Sequence, residues 1–281
     1  MLSFKSTEII TFCNYCKSQL IVLQKHRVFF LIIWLFVRCF TLYYAIRMEG
    51  CIMKYSHVIS GRFISRPNRF IAIVESEGTE MTVHVKNTGR CRELLIPGTT
   101  VYLSEGLRPG RKTAYDLIAV EKQREDGTSL LINMDSQIVN DCAEEWLRST
   151  LPADCQIRRE YTYGKSRFDF LLSSGTGKRL LEVKGVTLEE NGMVRFPDAP
   201  TTRGVKHLYE LIHAVTDGYK ASLLFVIQMK NVHAFSPNDR TDPKFGKALR
   251  AAADAGVQII AMDCQVTPES IRIDRPVPIL L

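Results

Sequence analysis

The sequence lacks a cysteine framework. Its 281 residues include eight cysteines, of which Cys13 and Cys16 make one C-x-x-C. No second Cys or His pair stands at finger spacing, which argues against a zinc site there. Cys39, Cys51, Cys91, Cys142, Cys155 and Cys264 lie mostly beside apolar residues without disulfide-like spacing, a usage that fits a reducing cytoplasm. A strong charge of one sign is also missing. The formal net charge is +7, but residues 1–52 hold six Lys/Arg against two Asp/Glu, so only +3 is left for residues 53–281. Global charge therefore does not define an anionic partner, and local arrangement must.

One long hydrophobic run is present, from Val28 to Ile46, broken by Arg38 and Thr41 and flanked by Lys25, His26, Arg27 and Arg47. It is just long enough to cross a bilayer, yet an Arg near the middle costs about 2.5–3.5 kcal/mol on insertion scales. No small-residue cleavage site follows it, and the preceding segment is too long for a typical signal peptide. Residues 1–52 read as a membrane anchor, an extra buried helix, or translated upstream sequence ahead of a start at Met48 or Met53. The regular pattern that begins directly after Met53 favours the third, and a membrane partner is not expected.

With 46% hydrophobic and 24% charged residues, the remainder is ordinary globular composition with room for two domains, 53–132 and 133–281. Strands are predicted at Val58–Ser65, Arg69–Ser76, Glu80–Lys86, Thr100–Ser104 and Ala114–Glu121, separated by Gly-, Pro- and Asn-containing turns. Such spacing suggests a small all-β barrel or sandwich. Its turns are basic: Arg66, Arg69, Lys86, Arg90 and Arg92 cluster there, with Asn68, Asn87 and Thr88 as hydrogen-bonding neighbours, and Arg108, Arg111 and Lys112 in another loop. Barrels of the oligonucleotide-binding (OB) type use loop-borne charge in this way to track phosphates. Solvated turn residues are the alternative.

After a linker near Asn133–Gln137, apolar residues at helical spacing predict a helix over Ile138–Ser149. Strands follow at Gln156–Tyr163, Arg167–Leu172 and Arg179–Val186, then a polar loop through Pro200. The chain continues with helix Arg203–Thr216, strand Ser222–Gln228, helix Pro243–Ala255 and strand Val257–Met262. Runs such as Leu223–Ile227 suit interior strands of a mixed sheet with helices on its faces. On the Arg167–Val186 hairpin, strand alternation puts Glu182 and Lys184 on one face, with Asp169 facing Glu182 from the neighbouring strand. Two carboxylates and a lysine would converge. Hard cations such as Mg²⁺ take one or two protein carboxylates and leave positions for water and phosphate. The plain alternative is a partly exposed ion pair worth about 0–1 kcal/mol.

The α-β-β-β-α-β order with Asp169 and Glu182-Val183-Lys184 resembles the PD-(D/E)XK nuclease superfamily, although Phe168 stands where a Pro is usual. Residues 53–281 more closely resemble the sugar fermentation stimulation protein A family. The matching stretches are Gly61-Arg62-Phe63, Arg66-Pro67-Asn68-Arg69-Phe70, Asn87-Thr88-Gly89-Arg90, Ser166-Arg167-Phe168-Asp169-Phe170, Leu181-Glu182-Val183-Lys184, Phe196-Pro197-Asp198-Ala199, Thr202-Arg203-Gly204 and Lys206-His207-Leu208. The resemblance implies an N-terminal OB-like barrel, a nuclease-like mixed sheet flanked by helices, and largely sequence-independent DNA binding with a regulatory link to maltose metabolism. It implies Asp169, Glu182 and Lys184 as catalytic residues. Mg²⁺ or Mn²⁺ would be held by Asp169, Glu182, Val183 and a first-helix carboxylate, Glu145 ahead of Glu144, with Glu160 also near. Arg203, Lys206 and His207, beginning the next helix with Thr202, are expected at phosphate; Gln228 either touches the site or merely ends its strand. Two functions stay open: a metal-dependent nuclease, and a DNA-binding regulator that keeps the fold without the chemistry. No sugar site is identifiable.

Overall fold

A computed structural model describes residues 53–281 apart from 88, 107–109 and 176. The expectations for residues 1–52, Thr88 and Arg108 lie outside the described residues. A short strand β1 (Met53–Lys54) precedes the barrel strands β2 (Val58–Asn68), β3 (Ile71–Ser76), β4 (Thr79–Val85), β5 (Thr100–Glu105) and β6 (Tyr115–Gln123). They run in the order β4-β3-β2-β5-β6, and a parallel pairing of β4 with β6 closes the barrel at His84↔Asp116 and Val85↔Leu117. Alternation supplies the lining: Phe63, Val74, Val83, Val101, Leu103 and Val120 point inward and are buried. Gly61 is demanded by the close approach of β3 to β2, since a Cβ there would stand 2.5 Å from Val74 Cγ1 and 2.7 Å from the Glu75 carbonyl oxygen. A sixth strand, β7 (Ser129–Asn133), pairs with β6 and leads out of the barrel.

The second half opens with helix α1 (Ile138–Thr150) and continues with β8 (Gln156–Tyr163), β9 (Ser166–Ser174) and β10 (Gly177–Val186). Then come β11 (Leu188–Glu190), β12 (Met193–Phe196), α2 (Thr202–Thr216), β13 (Lys220–Ile227), β14 (Ala234–Pro237), α3 (Pro243–Asp254), β15 (Gln258–Thr267) and β16 (Ser270–Pro276). The main sheet has the order β1-β16-β15-β13-β10-β9-β8. Its middle strands β10, β13 and β15 are parallel, and Leu223–Ile227 is almost wholly buried because both faces are covered. Val139, Cys142, Ala143 and Leu147 of α1 pack on one face against Phe170, Leu181, Val183, Leu224 and Val226. Leu208, Leu211 and Ala214 of α2, with Phe245, Ala248 and Leu249 of α3, cover the other face over Phe168, Leu180, Leu223 and Phe225.

Part of the expected polar loop after β10 is a hairpin. Asn191 and Gly192 adopt φ of 51° and 80°, the left-handed pair that a two-residue turn requires, and β12 also pairs in parallel with β14. This hairpin fastens the barrel to the sheet. Glu189 of β11, fully buried, takes Lys122 of β6 at 2.6 Å and Arg124 at 3.3 Å. Gln228, just past β13, is the second fastening: its Nε2 donates to Asn133 Oδ1 at 2.9 Å and to the Asp135 carbonyl at 3.0 Å. Gln228 thus anchors the barrel's exit. Among the described residues, no helix is long and apolar enough to cross a membrane.

Candidate active site

The site arises where the β9–β10 ladder opens. Backbone pairing runs from Gly177↔Ser174 to Leu181↔Phe170. Beyond it, the Asp169 side chain enters the ladder: its Oδ2 accepts the Val183 N–H at 2.8 Å, while Oδ1 accepts Asn140 Nδ2 from α1 at 2.8 Å. Strand alternation breaks at the same point. Phe168 and Phe170 are both fully buried, but Phe168 packs under α2 and Phe170 under α1. Across the sheet, Glu160 lies between the pairs Arg159↔Phe170 and Tyr161↔Phe168 and has a left-handed φ of 55°. Two phenyl rings two residues apart thus enter opposite cores, and the carboxylate between them is held at the opening.

Glu182 is 2% exposed. Its Oε1 accepts Lys184 Nζ and also His207 Nδ1, the latter at 2.5 Å. The His207 Nε2 faces Arg203 Nε at 3.5 Å. Burial opposes ionisation of Glu182, but the His207 hydrogen bond and the Lys184 charge outweigh it and hold the carboxyl below its ordinary range. At Asp169, burial and the neighbouring Glu182 charge push the pKa up despite the Val183 N–H. Two carboxylates thus share a desolvated site with one lysine.

Whether the residues suit a divalent cation turns on Glu182 Oε2, which is buried and has no hydrogen-bond partner. A buried carboxylate oxygen without a partner carries a desolvation cost that a bound cation would remove. Asp169 still has lone-pair capacity beyond its two hydrogen bonds. Among the described residues no group of three or more His, Cys, Asp and Glu could hold a metal, so an all-protein cage is absent. Two carboxylates with open positions suit Mg²⁺ or Mn²⁺, which keep water and substrate oxygens in their shell.

The first-helix carboxylates are not at this site. Glu144 pairs with Arg148 and Arg159. Glu145 faces the Met53 backbone and Arg272, with burial raising its pKa. The α1 side chain that reaches Asp169 is Asn140, one turn before Glu144 and about 140° around the helix from Glu145. Glu160 is exposed and pairs with Arg167 at 3.5 Å. His207, expected at phosphate, is only 4% exposed and is turned inward onto Glu182. Sequence reasoning missed Asn140 and this role of His207; the signal available was spacing, since Gly204, His207, Leu208 and Leu211 share the buried stripe of α2.

The barrel's basic cluster divides in two. Arg66 is spent on its own loops: Nη1 donates to the carbonyls of Gly89 at 3.0 Å and Arg90 at 2.7 Å, and Nη2 to those of Arg69 and Asn87, each at 2.7 Å. Lys86 is bound to Asp135 at 3.0 Å and Asp116 at 3.4 Å, and Arg111 also bonds Asp116. Asn68 and Asn87 cap turns by accepting the Phe70 and Gly89 N–H groups. Arg66, Lys86, Asn68 and Asn87 are thus structural in this conformation. Arg69, Arg90 and Arg92 are exposed, and among the described residues none is in an ion pair. Beside Arg69, Phe70 is 51% exposed, an aromatic that the sequence reading did not single out.

Arg203 and Lys206 line a cavity of about 500 Å³ together with Lys165, Ser166, Arg167, Thr202 and His207. No carboxylate is in its lining.

Known proteins resemble this chain over its described part. Residues 64–132 match the SfsA N-terminal OB domain, and residues 133–270 match the sugar fermentation stimulation protein RE domain. A sugar fermentation stimulation protein homolog of Desulfitobacterium hafniense is 55% identical over 220 residues, 78% of this chain and 94% of the relative. One from Clostridium beijerinckii is 51% identical over 231 residues, 82% of this chain and all of the relative. A solved structure of Pyrococcus furiosus SfsA in complex with Ca²⁺ superposes with a TM-score of 0.72 at 29% identity, covering 82% of this chain and 98% of that one. Barrel, mixed sheet and sequence agree throughout these matches, and the chain belongs to the sugar fermentation stimulation protein family.

Proposed function

We propose that this protein is a divalent-metal-dependent nuclease acting on DNA. The observation that carries the reading is the unpartnered, buried Glu182 Oε2 beside Asp169 and Lys184. The relative from Pyrococcus furiosus was solved with Ca²⁺, an oxygen-seeking cation of the same hard class, which supports a cation site in the family. Asp169 and Glu182 would hold Mg²⁺ or Mn²⁺, with Val183 supplying backbone at the strand opening. When bound, the metal supplies Lewis-acid polarisation of a phosphodiester and a more acidic water.

The chain's own residues do the rest. Lys184 brings positive charge to the attacked phosphate and exchanges its hydrogen bond to Glu182 for one to a phosphate oxygen or the attacking water. His207 keeps Glu182 ionised and fixed in one rotamer by holding Oε1. Asn140 and the Val183 N–H fix Asp169. Arg69, Arg90 and Arg92 give the barrel an electrostatic grip on the backbone, and Phe70 offers a ring on which a base can stack.

Incubation of supercoiled plasmid and single-stranded DNA with Mg²⁺, Mn²⁺ or EDTA tests the reading. Cutting that EDTA abolishes supports it. Binding without cutting in every metal would instead leave a DNA-binding regulator on a nuclease fold.

A further inference from the structure

The cavity beside the candidate active site is lined by basic side chains. Lys165, from the turn between β8 and β9, forms one wall with Ser166 and Arg167 at the start of β9; Thr202, Arg203, Lys206 and His207 form the other, from the start of α2. Four cationic side chains and no carboxylate line it. The nearby acids do not enter the lining: Glu160 pairs with Arg167 at 3.5 Å on exposed side chains, where such a pair is weak, the largely buried Glu210 pairs with Lys206 at 3.6 Å, and Asp242 accepts the Thr201 N–H at 2.8 Å. Thr201 caps α2 by accepting the Gly204 N–H at 3.0 Å, so the first turn's remaining N–H groups lack intrahelical acceptors and add the positive end of the helix dipole. Lys206 Nζ, bonded to the Lys165 carbonyl at 2.7 Å, ties the two walls together.

A second, independent observation points to a ligand. Ser166 is only 5% exposed, and its Oγ has no hydrogen-bond partner although it lines this cavity. A buried hydroxyl without a partner costs stability unless something else occupies its bonding direction. The cavity lies one imidazole ring away from the carboxylates, because His207 lines it and bonds Glu182 Oε1 at 2.5 Å. A group in the cavity and a phosphodiester at Lys184 can therefore belong to one strand.

We propose that this cavity binds the terminal phosphate monoester of a DNA strand and places the neighbouring phosphodiester at Asp169 and Glu182. The placement rests on the nuclease reading; the recognition of the monoester does not. A monoester carries nearly twice the charge of an internal diester and three terminal oxygens, which match the basic side chains, the Ser166 hydroxyl and the helix end.

The test uses the full chain in EDTA, where no cutting can occur, with three otherwise identical duplexes ending in 5′-phosphate, 3′-phosphate or hydroxyl only. One phosphorylated duplex should bind about tenfold more tightly than the hydroxyl-ended one, and the arm that does so identifies the strand polarity. S166A should lower that preference without lowering thermal stability, since the hydroxyl it removes is unpaired, and R203Q should remove it. Equal affinity for all three duplexes overturns the proposal, as does a preference that survives unchanged in both variants. With Mn²⁺ present, the two readings separate. Cutting with no end preference sinks the cavity and leaves the nuclease; an end preference with no cutting sustains the cavity and sinks the nuclease.

Discussion

Replacing Arg66 by Ala separates two roles that its position in a basic turn makes hard to tell apart. If Arg66 is a loop clamp, its guanidinium stabilises the folded protein through four carbonyl bonds between the β2–β3 turn and the loop after β4. Two of these, to Gly89 and Asn87, are part-buried, and two are exposed. Hydrogen bonds from a charged donor contribute about 1.5–3 kcal/mol each when water is excluded, whereas the exposed carbonyls rehydrate at little cost, so the loss should be about 3 kcal/mol. For a unit of this size that corresponds to a fall in Tm of about 6–12 °C. The assay is a thermal melt of R66A beside R69A and R90A, followed by DNA binding across a salt series. R69A and R90A should melt like the wild type while each flattens the salt slope by about 0.9. R66A should melt early and keep a slope close to wild type when assayed well below its Tm. A wild-type Tm with a flattened slope in R66A would refute the clamp and return this arginine to the phosphate surface.

Glu189 gives a pH-dependent prediction. Burial opposes its ionisation, but Lys122, the Gly192 N–H and Arg124 hold its pKa below the ordinary 4.5. A folded-state pKa below the unfolded one stabilises the protein above the unfolded value, and that stabilisation is lost as pH falls through the folded value. E189Q should therefore cost about 1–3 kcal/mol in urea unfolding at pH 7 and progressively less below pH 4.5; an equal cost at both ends of the range would contradict the ion-pair role. Thiol labelling gives another: burial pushes Cys91 and Cys142 to about 12 and Cys264 well above its usual value, whereas Cys155 is partly exposed. Alkylation of the native protein at pH 8, read by peptide mass, should modify Cys155 first within residues 53–281. Labelling of Cys142 at the same rate would show that the α1 face opens readily.

Most of the architecture is legible in the sequence because it is written in strong periodicities. The strand Gln156–Tyr163 has the expected bounds, and the first and third helices differ from expectation by one residue at the C-terminal end. The hairpin carrying Asp169, Glu182 and Lys184 is legible for the same reason, but the facing at Asp169 is not, since Phe168 and Phe170 enter opposite cores where simple alternation would put both in one. The short strands β11, β12 and β14 are not legible, since three or four residues give no period and their pairing partner is distant in the chain. Side-chain roles at loops and helix starts are the other blind spot. Arg66 and Arg69 look alike in the sequence, but only the fold brings the Gly89 and Asn87 carbonyls to the first. Glu145 and Asn140 sit on one helix, and a rotation about its axis, set by which stripe meets the sheet, decides that Asn140 meets Asp169. His207 could be placed inward only by noticing that it continues the stripe of Gly204, Leu208 and Leu211.

The most direct measurement of the central claim is DNA cutting by the wild type and by D169N, E182Q and K184M in Mn²⁺, paired with calorimetric titration of the metal in the presence of DNA. The account predicts metal-dependent cutting by the wild type alone, metal binding retained in K184M and lost in D169N and E182Q, and DNA binding in EDTA by all four. Cutting that persists in EDTA or in D169N, or a wild type that takes up no metal with DNA present, would contradict it and reduce Asp169, Glu182 and Lys184 to a structural ion cluster.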